Sequence, residues 1–225
     1  LTQAWPKCLM PIRGKPLLAY WLEISKAINA DHVYVNVHHL ASEVQYFLGE
    51  VSDCVPVSTV HEEILCGTAG TIRNLNLGDS DGTLMVVHAD NLCVCDFDEF
   101  LKFHQLQRNK NCPITMMTFD CDEPSQAGIV DLDANGFVAN IHEKMPRPPS
   151  NLANGAVYLV EREVLSFIES NPWVSDFSTQ VLPEFMGRIG RWHNHQLHID
   201  IGSIGRLKKA ERLAKQVFMP PTCNI

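Results

Sequence analysis

The sequence predicts an α/β fold with a mostly parallel central sheet in its first half and a strand-rich second half. Three observations carry that prediction. β-branched runs alternate with helix-period segments up to about residue 75, Leu84 to Val87 is almost wholly apolar, and strand-like segments follow one another after Pro113 with little helix between them. At 225 residues the chain suits one sizeable body, expected as a single domain over 1–225 whose halves, 1–112 and 113–225, share one core.

Pro16 followed by Leu17, Leu18, Trp21, Ile24 and Ile28 sets apolar groups at helical spacing, with proline tolerated in the first turn. Cys8 to Ile12 reads as a short strand-like run, Val33 to Val37 as a strand, Ala41 to Leu48 as a helix and Val55 to Val60 as a strand. Such alternation implies parallel strands joined by helical crossovers. A Gly67-Thr68-Ala69-Gly70 turn opens a helix through Leu75, and the apolar run at Leu84 to Val87 fits a central strand buried on both faces. Beyond Pro113, strands are expected at Ile114 to Phe119, Gly128 to Leu132, Phe137 to His142, Ala156 to Val160 and Arg191 to His198. Helices are expected at Glu161 to Glu169, near Phe177 to Phe185 and at Ile204 to Val217, with Pro220 and Pro221 ending the ordered part.

The formal charge of -8 argues against nucleic acid or an anionic membrane as the main partner, since both reward a basic surface. Any anionic substrate must be held by local cations or metal. Cys8, Cys54, Cys66, Cys112, Cys121 and Cys223 are scattered, only Cys93 and Cys95 lie close together, and no Cys-x-x-Cys pair exists. Free thiols in a reducing compartment follow. No apolar run reaches a membrane span, and Leu1 to Lys7 lacks signal-peptide character, so a cytoplasmic location is expected.

Asp90, in His88-Ala89-Asp90, follows the most buried-looking strand, where an open α/β sheet presents its ligands. It could hold a metal or cap the next turn. Asp200, between apolar neighbours in Ile199-Asp200-Ile201-Gly202, could join it or cap the last helix. Two such carboxylates suit one Mg2+, which takes one or two carboxylates together with phosphate oxygens. Lys7 and Lys144 stand at expected strand ends, where an ammonium group suits phosphate neutralisation or simply faces solvent. Gly67-Thr68-Ala69-Gly70 is a turn at which backbone could approach a flat base or a phosphate. His193 and His195 would share one strand face and His198 the other, a conceivable two-histidine metal site. His38, His39 and His61 need no catalytic role.

In this order the pieces resemble the sugar-phosphate nucleotidyltransferase family, of the mannose-1-phosphate guanylyltransferase-like kind. The resemblance runs from Leu1-Thr2-Gln3-Ala4-Trp5-Pro6-Lys7-Cys8-Leu9-Met10-Pro11-Ile12 and Gly14-Lys15-Pro16-Leu17, through Glu62-Glu63, Leu65 and Gly67-Thr68-Ala69-Gly70. It continues through Asp90, Glu143-Lys144, Asn154-Gly155-Ala156-Val157-Tyr158 and Ile199-Asp200-Ile201-Gly202. It implies a Rossmann-like three-layer α/β/α nucleotidyltransferase fold, GT-A-like, with a nucleotide-binding first half and a sugar-phosphate-binding second half. The implied reaction joins a nucleoside triphosphate to a sugar 1-phosphate, for cell-surface polysaccharide or lipopolysaccharide precursors. By similarity Lys7 contacts the triphosphate, Glu63, Gly67, Thr68 and Gly70 lie at the base, and Asp90 and Asp200 hold Mg2+. Glu143 and Asn154 bind sugar hydroxyls, Lys144 binds the sugar phosphate, and the Gly128 backbone lines the sugar site. The Gly67 turn looks more guanylyl- or uridylyl-like than thymidylyl-like, pointing to GTP with a mannose-like or heptose 1-phosphate.

The family's first strand and its G-x-G-x-R loop are missing, because the sequence starts just after them, and residues upstream of Leu1 are expected to supply them. Ala89 stands where the family commonly has glycine. Two other readings compete. Asp96-Phe97-Asp98 and Asp131-Leu132-Asp133 have the D-x-D spacing of metal-dependent GT-A glycosyltransferases, and the chain could be a non-catalytic nucleotide-sugar-binding regulatory subunit.

Overall fold

The computed structural model describes residues 5–51, 54–75, 77 and 82–218. Leu1 to Ala4, Pro220, Pro221 and Cys223, which figured in the expectations above, lie outside them. The chain opens with β1 (Pro11–Ile12), β2 (Lys15–Pro16), α1 (Leu17–Ala27), β3 (Val33–Val37), α2 (Ala41–Glu50) and β4 (Val57–His61). Next come α3 (Thr68–Asn74), β5 (Leu84–Val87), β6 (Asn91–Val94) and α4 (Phe97–Arg108). Then β7 (Ile114–Asp120), β8 (Gly128–Leu132), β9 (Val138–Glu143), β10 (Leu152–Val160) and α5 (Arg162–Ser170) follow. The last elements are β11 (Ile189–His193), β12 (Leu197–Asp200) and α6 (Ile204–Val217). Helices and strands are mixed throughout, and the α/β class holds.

Contacts group the described residues into two compact units. The first takes in Leu1–His61, Ala89–Cys95 and Gln196–Ile225, and the second Glu62–His88 and Asp96–His195.

In the first unit α1 follows the apolar spacing seen in the sequence: Leu17, Leu18, Trp21 and Leu22 are buried. Asn29, at φ 54, ends the helix in the left-handed region. Its N–H donates to the Lys26 carbonyl (3.1 Å) and that of Ala30 to Ser25 (2.9 Å), which satisfies the last orphan carbonyls of the helix. Leu18 and Leu22 pack with Val35, Val37 and Val44, and β3 pairs in parallel with β4. A second cluster joins Ile12, Leu17, Leu92, Leu197, Ile199, Ile201, Ala210 and Ala214. There β6 and β12 pair antiparallel, and α6 brings small alanines to the contact.

The second unit is built on β10. Along one edge β10 pairs with β7; along the other it meets β8 at its start and β5 at its end, all antiparallel. β11 adds in parallel to β7, and β9 closes a hairpin with β8. Ile114, Met116, Val130, Val138, Tyr158, Val160, Ile189 and α5 residues Val164, Leu165 and Ile168 form its core.

Several expectations need correction. The expected mostly parallel sheet is not found: among the described residues only β3·β4 and β11·β7 are parallel, each reached by a connection that contains a helix. The other pairings among the described residues are antiparallel; the β8·β9 hairpin must be, because the short Asp133–Gly136 turn can join only antiparallel neighbours, whereas β10 and β12 reach their partners from far along the chain. Cys8 to Ile12 is not one strand but a 3-10 turn at Lys7–Leu9 followed by β1. Pro6 and Pro11, lacking N–H groups, deny that stretch a ladder. The strand expected at Arg191 to His198 is broken into β11 and β12, the Asn194 N–H still donating to Thr118 (2.8 Å) before the chain turns away. Leu84 to Val87 is half-buried rather than buried. The helix near Phe177 to Phe185 is a π-turn followed by a 3-10 turn containing Pro183.

A buried polar cluster ties α4 to β7 and to the start of α5. Glu161, 7% exposed, receives bonds from Thr83 Oγ1 (2.8 Å) and His104 Nε2 (2.8 Å) and pairs with Arg108 Nε (2.9 Å). A carboxylate only accepts, so His104 donates from Nε2 and its Nδ1 accepts from the Thr115 hydroxyl (2.7 Å). That is the neutral ring. Burial pushes the His104 pKa below 6.5, against the opposing Glu161 hydrogen bond. Its contribution to stability is therefore complete above the unfolded-state value near 6.5 and lost as pH falls towards the depressed folded value. Urea unfolding midpoints should drop on the acid side between about pH 7 and about pH 5, and His104→Gln should flatten that drop. An acid slope identical in both proteins would rule the cluster out as its source.

Candidate active site

The first unit carries Lys7, Asp90 and Asp200. Lys7 starts the 3-10 turn anchored by buried Leu9, whose N–H donates to the Pro6 carbonyl (3.0 Å). Its Nζ lies 3.7 Å from Asp90 Oδ2, with side chains 43% and 28% exposed. Asp90 immediately precedes β6, and Asp200 ends β12. Register places Asp200 opposite Asn91, and the Ile201 N–H donates to the Asp90 carbonyl (3.2 Å). The two aspartates thus stand at neighbouring ends of one strand pair. Trp21 Nε1 adds a bond to the Asn91 carbonyl (3.0 Å), and Leu92, Ile199 and Ile201 are buried beneath. Apolar burial on each strand makes the pair rigid where the polar ends emerge.

Asp200 does not cap α6. Ser203 does, its Oγ accepting from the Arg206 N–H (3.2 Å). Asp200 Oδ1 instead accepts from the Gly202 N–H, and Oδ2 from Arg206 Nη1, both at 2.8 Å. Arg206 was not singled out in the sequence; its position three residues into a Ser-capped helix that follows Asp200 was the available signal. Each aspartate has a cation beside it, in partly exposed pairs worth up to about 1 kcal/mol, so exchange for a stronger cation costs little. Two hard oxygen donors at adjacent strand ends fit Mg2+ while leaving positions for water and phosphate oxygens. Among the described residues no group of three or more His, Cys, Asp or Glu could hold a metal ion. Cys8 is no nucleophile here, because burial pushes its thiol up to about 11.

The second unit carries the other candidates. Gly67 adopts φ 76, ψ 166, a region essentially reserved for glycine, and a Cβ there would overlap the Ser175 carbonyl oxygen. That oxygen accepts from the Ala69 and Gly70 N–H groups (2.9 and 3.3 Å), and Thr68 Oγ1 accepts from the Phe177 N–H (2.7 Å). The close approach expected for a base or phosphate is thus made, at these atoms, by the chain's own Ser175 segment. Arg73 fastens the same segment by donating to the carbonyls of Ile168, Asn171 and Val174. Of the paired glutamates, Glu63 is exposed and Glu62 is buried, accepting from Thr71 Oγ1 (2.7 Å) and the Cys66 N–H (3.1 Å).

Gly128, Glu143 and Asn154 come together across three strands. Gly128 of β8 pairs with Glu143 of β9, and Asn154 of β10 lies one step along from the Ala153–Ile129 pair. A Cβ on Gly128 would sit 2.7 Å from Glu143 Oε1, so only glycine admits the carboxylate there. Lys144 follows at φ 47, its N–H bonded to the Ala127 carbonyl (3.1 Å). Tyr158, absent from the sequence-level candidates as a site residue, bonds Asn154 from within the core.

Three of the four D-x-D aspartates are engaged locally. Asp96 caps α4 through the Glu99 N–H (2.8 Å), Asp133 accepts from the N–H groups of Asn135 and Phe137, and Asp131 pairs with His142. His193 and His195 pack ring to ring at 4.4 Å, and His193 Nδ1 meets Thr118 Oγ1 (3.2 Å). Cys8, Cys54, Cys66, Cys93, Cys95, Cys112 and Cys121 form no disulfide. No helix among the described residues is long and apolar enough to cross a membrane.

The sequence pattern described as nucleotidyl transferase matches residues 1–216. The catalytic subunit beta of mannose-1-phosphate guanylyltransferase from Drosophila pseudoobscura pseudoobscura is 30% identical over 76% of the chain and 47% of its own length. UTP–glucose-1-phosphate uridylyltransferase from Synechocystis sp. is 28% identical over 76% of the chain and 47% of its own length. The chain thus spans about half the length of these curated relatives. Among solved structures, HddC from Yersinia pseudotuberculosis superposes with a TM-score of 0.78 at 21% identity, covering 94% of this chain and 91% of that one.

Gly67→Ala should lower unfolding free energy by roughly 2–5 kcal/mol, the sum of backbone strain and overlap with Ser175. Urea titration measures it, and a loss below ~0.5 kcal/mol would show that the Ser175 segment yields freely.

Proposed function

The chain belongs to the nucleotidyl transferase family, and we propose that it joins a nucleoside triphosphate to a sugar 1-phosphate, releasing pyrophosphate and forming a nucleotide-activated sugar. The observation that carries this reading is the pairing of β6 with β12, which sets Asp90 and Asp200 at neighbouring strand ends with Lys7 beside them. In the proposed reaction a phosphate oxygen of the sugar 1-phosphate attacks the α-phosphorus in line. The new O–P bond forms as the bond to the β-phosphate breaks, and pyrophosphate leaves with the electron pair. No protein nucleophile is required.

Both substrates are anions, and a phosphate monoester carries about -1.5 to -2 charges at neutral pH. Lys7 would neutralise the triphosphate and Lys144 the sugar phosphate. Asp90 and Asp200 would hold Mg2+, which when bound supplies charge stabilisation at the transferring phosphoryl group. Glu143 and Asn154 would orient the sugar through its hydroxyls beside the Gly128 backbone. Glu63 and the Gly67, Thr68 and Gly70 turn would lie at the base. Most of the acceleration would then come from alignment of the two phosphates.

GTP with a mannose-like or heptose 1-phosphate is the first substrate pair to test, supported by the guanylyltransferase relative; the product would serve cell-surface polysaccharide or lipopolysaccharide synthesis in the cytoplasm. The GT-A glycosyltransferase alternative is disfavoured by the local engagement of Asp96, Asp131 and Asp133.

Pyrophosphate release from the four common ribonucleoside triphosphates, screened against several sugar 1-phosphates with full-length protein, tests the activity. Asp90→Ala and Asp200→Ala should each reduce turnover about 10²-fold or more, with circular dichroism matching the parent. Undiminished magnesium-dependent turnover in both would remove the aspartates from the mechanism. Ligand binding without turnover on any pair would point to a regulatory subunit.

A further inference from the structure

Asn154 lies at the irregular part of β10, where the register with β7 shifts between Asn154 and Tyr158 and Ala156 takes φ 51. An asparagine amide offers two N–H donors and an oxygen with two lone pairs, and its orientation is readable only from its partners. Here both ends have partners. Oδ1 accepts from the Ala156 N–H (2.9 Å), which can only donate, so Nδ2 must be the atom 2.7 Å from the Tyr158 hydroxyl.

Tyr158 is itself immobile. It is 1% exposed, and its ring packs on Phe177 at 5.0 Å. Burial pushes the phenol up to about 12, so it stays neutral and can accept from Asn154. Of the amide's capacity, one N–H and one lone pair remain beyond these two bonds. On neighbouring strands stand Gly128 and, over it, the Glu143 carboxylate, a pure acceptor.

We propose that Tyr158 is a positioning residue for the sugar: its hydroxyl, held by ring packing on Phe177, fixes the Asn154 amide so that its remaining N–H donates to one sugar hydroxyl while Glu143 accepts from another. This rests on the assignment of Asn154 and Glu143 to the sugar 1-phosphate. The donor and acceptor are therefore distinguished in advance of binding, and the site selects a sugar by the placement of two hydroxyls. Were the amide free to flip, the same position would offer an oxygen as readily as an N–H, and that selection would blur.

The test is Tyr158→Phe in the full-length protein, which keeps the ring and deletes the hydroxyl. Steady-state kinetics would be measured with the best triphosphate, the best sugar 1-phosphate and its monodeoxy analogues. KM for the sugar 1-phosphate should rise about five- to tenfold, as for loss of one hydrogen bond, with KM for the triphosphate unchanged. The preference of the parent for the fully hydroxylated sugar over one deoxy analogue should shrink by a similar factor. Asn154→Ala should lose that same preference, and adding Tyr158→Phe to it should do nothing more. Should Tyr158→Phe not fold, Phe177→Leu, loosening the ring packing that holds the phenol, should shift the same KM in the same direction by less. A sugar preference equal to the parent's, or equal changes in both KM values, would overturn the positioning role. Absence of turnover by the parent on every pair would instead overturn the proposed activity on which it rests.

Discussion

The antiparallel pairing of β6 with β12 is the constraint on which the candidate phosphate chemistry depends. It joins segments more than a hundred residues apart in sequence and sets Asp200 opposite Asn91. Leu92, Ile199 and Ile201 bury the strands, Ala210 and Ala214 let α6 come close, and the Trp21 indole holds the Asn91 carbonyl. Only the polar ends are left at the margin. A chain of net charge -8 places Lys7 and Arg206 at just these two aspartates, which offsets the repulsion that two neighbouring carboxylates would otherwise exert.

In the second unit glycines admit oxygen atoms rather than bends alone. Gly67 makes room for the Ser175 carbonyl, and Gly128 for the Glu143 carboxylate. The first of these contacts is architectural, because the carbonyl uses the N–H groups at the head of α3; the second lays the Glu143 carboxylate against the sheet. Buried acids follow the same division. Glu62 and Glu161 are satisfied by neighbouring donors inside the fold, as a buried carboxylate must be, whereas Glu143, Asp90 and Asp200 keep contact with solvent.

Much of the fold was legible because it rests on local pattern. The apolar spacing from Leu17 predicts α1, the β-branched run at Val33 predicts β3, and α6 keeps the bounds expected, Ile204 to Val217, though Ser203 rather than Asp200 caps it. Expectation failed where partner choice decided the outcome. Residues 191–198 look like one strand, yet the first part pairs with β7 and the last with β6. Period-two alternation carries no information about which strand lies alongside. The sense of pairing was likewise hidden for β10, which runs antiparallel to three different strands.

By itself the sequence determined the α/β class and, through short ordered motifs, the family. Those properties are written in residue identity and spacing, which need no partner to be read. Only the tertiary structure decided that Asp200 neighbours Asp90 and pairs with Arg206, that the head of α3 receives Ser175, and that Tyr158 orients Asn154. Each of these depends on which atoms meet across long stretches of chain, and hydrogen-bond direction and burial exist only once they have met.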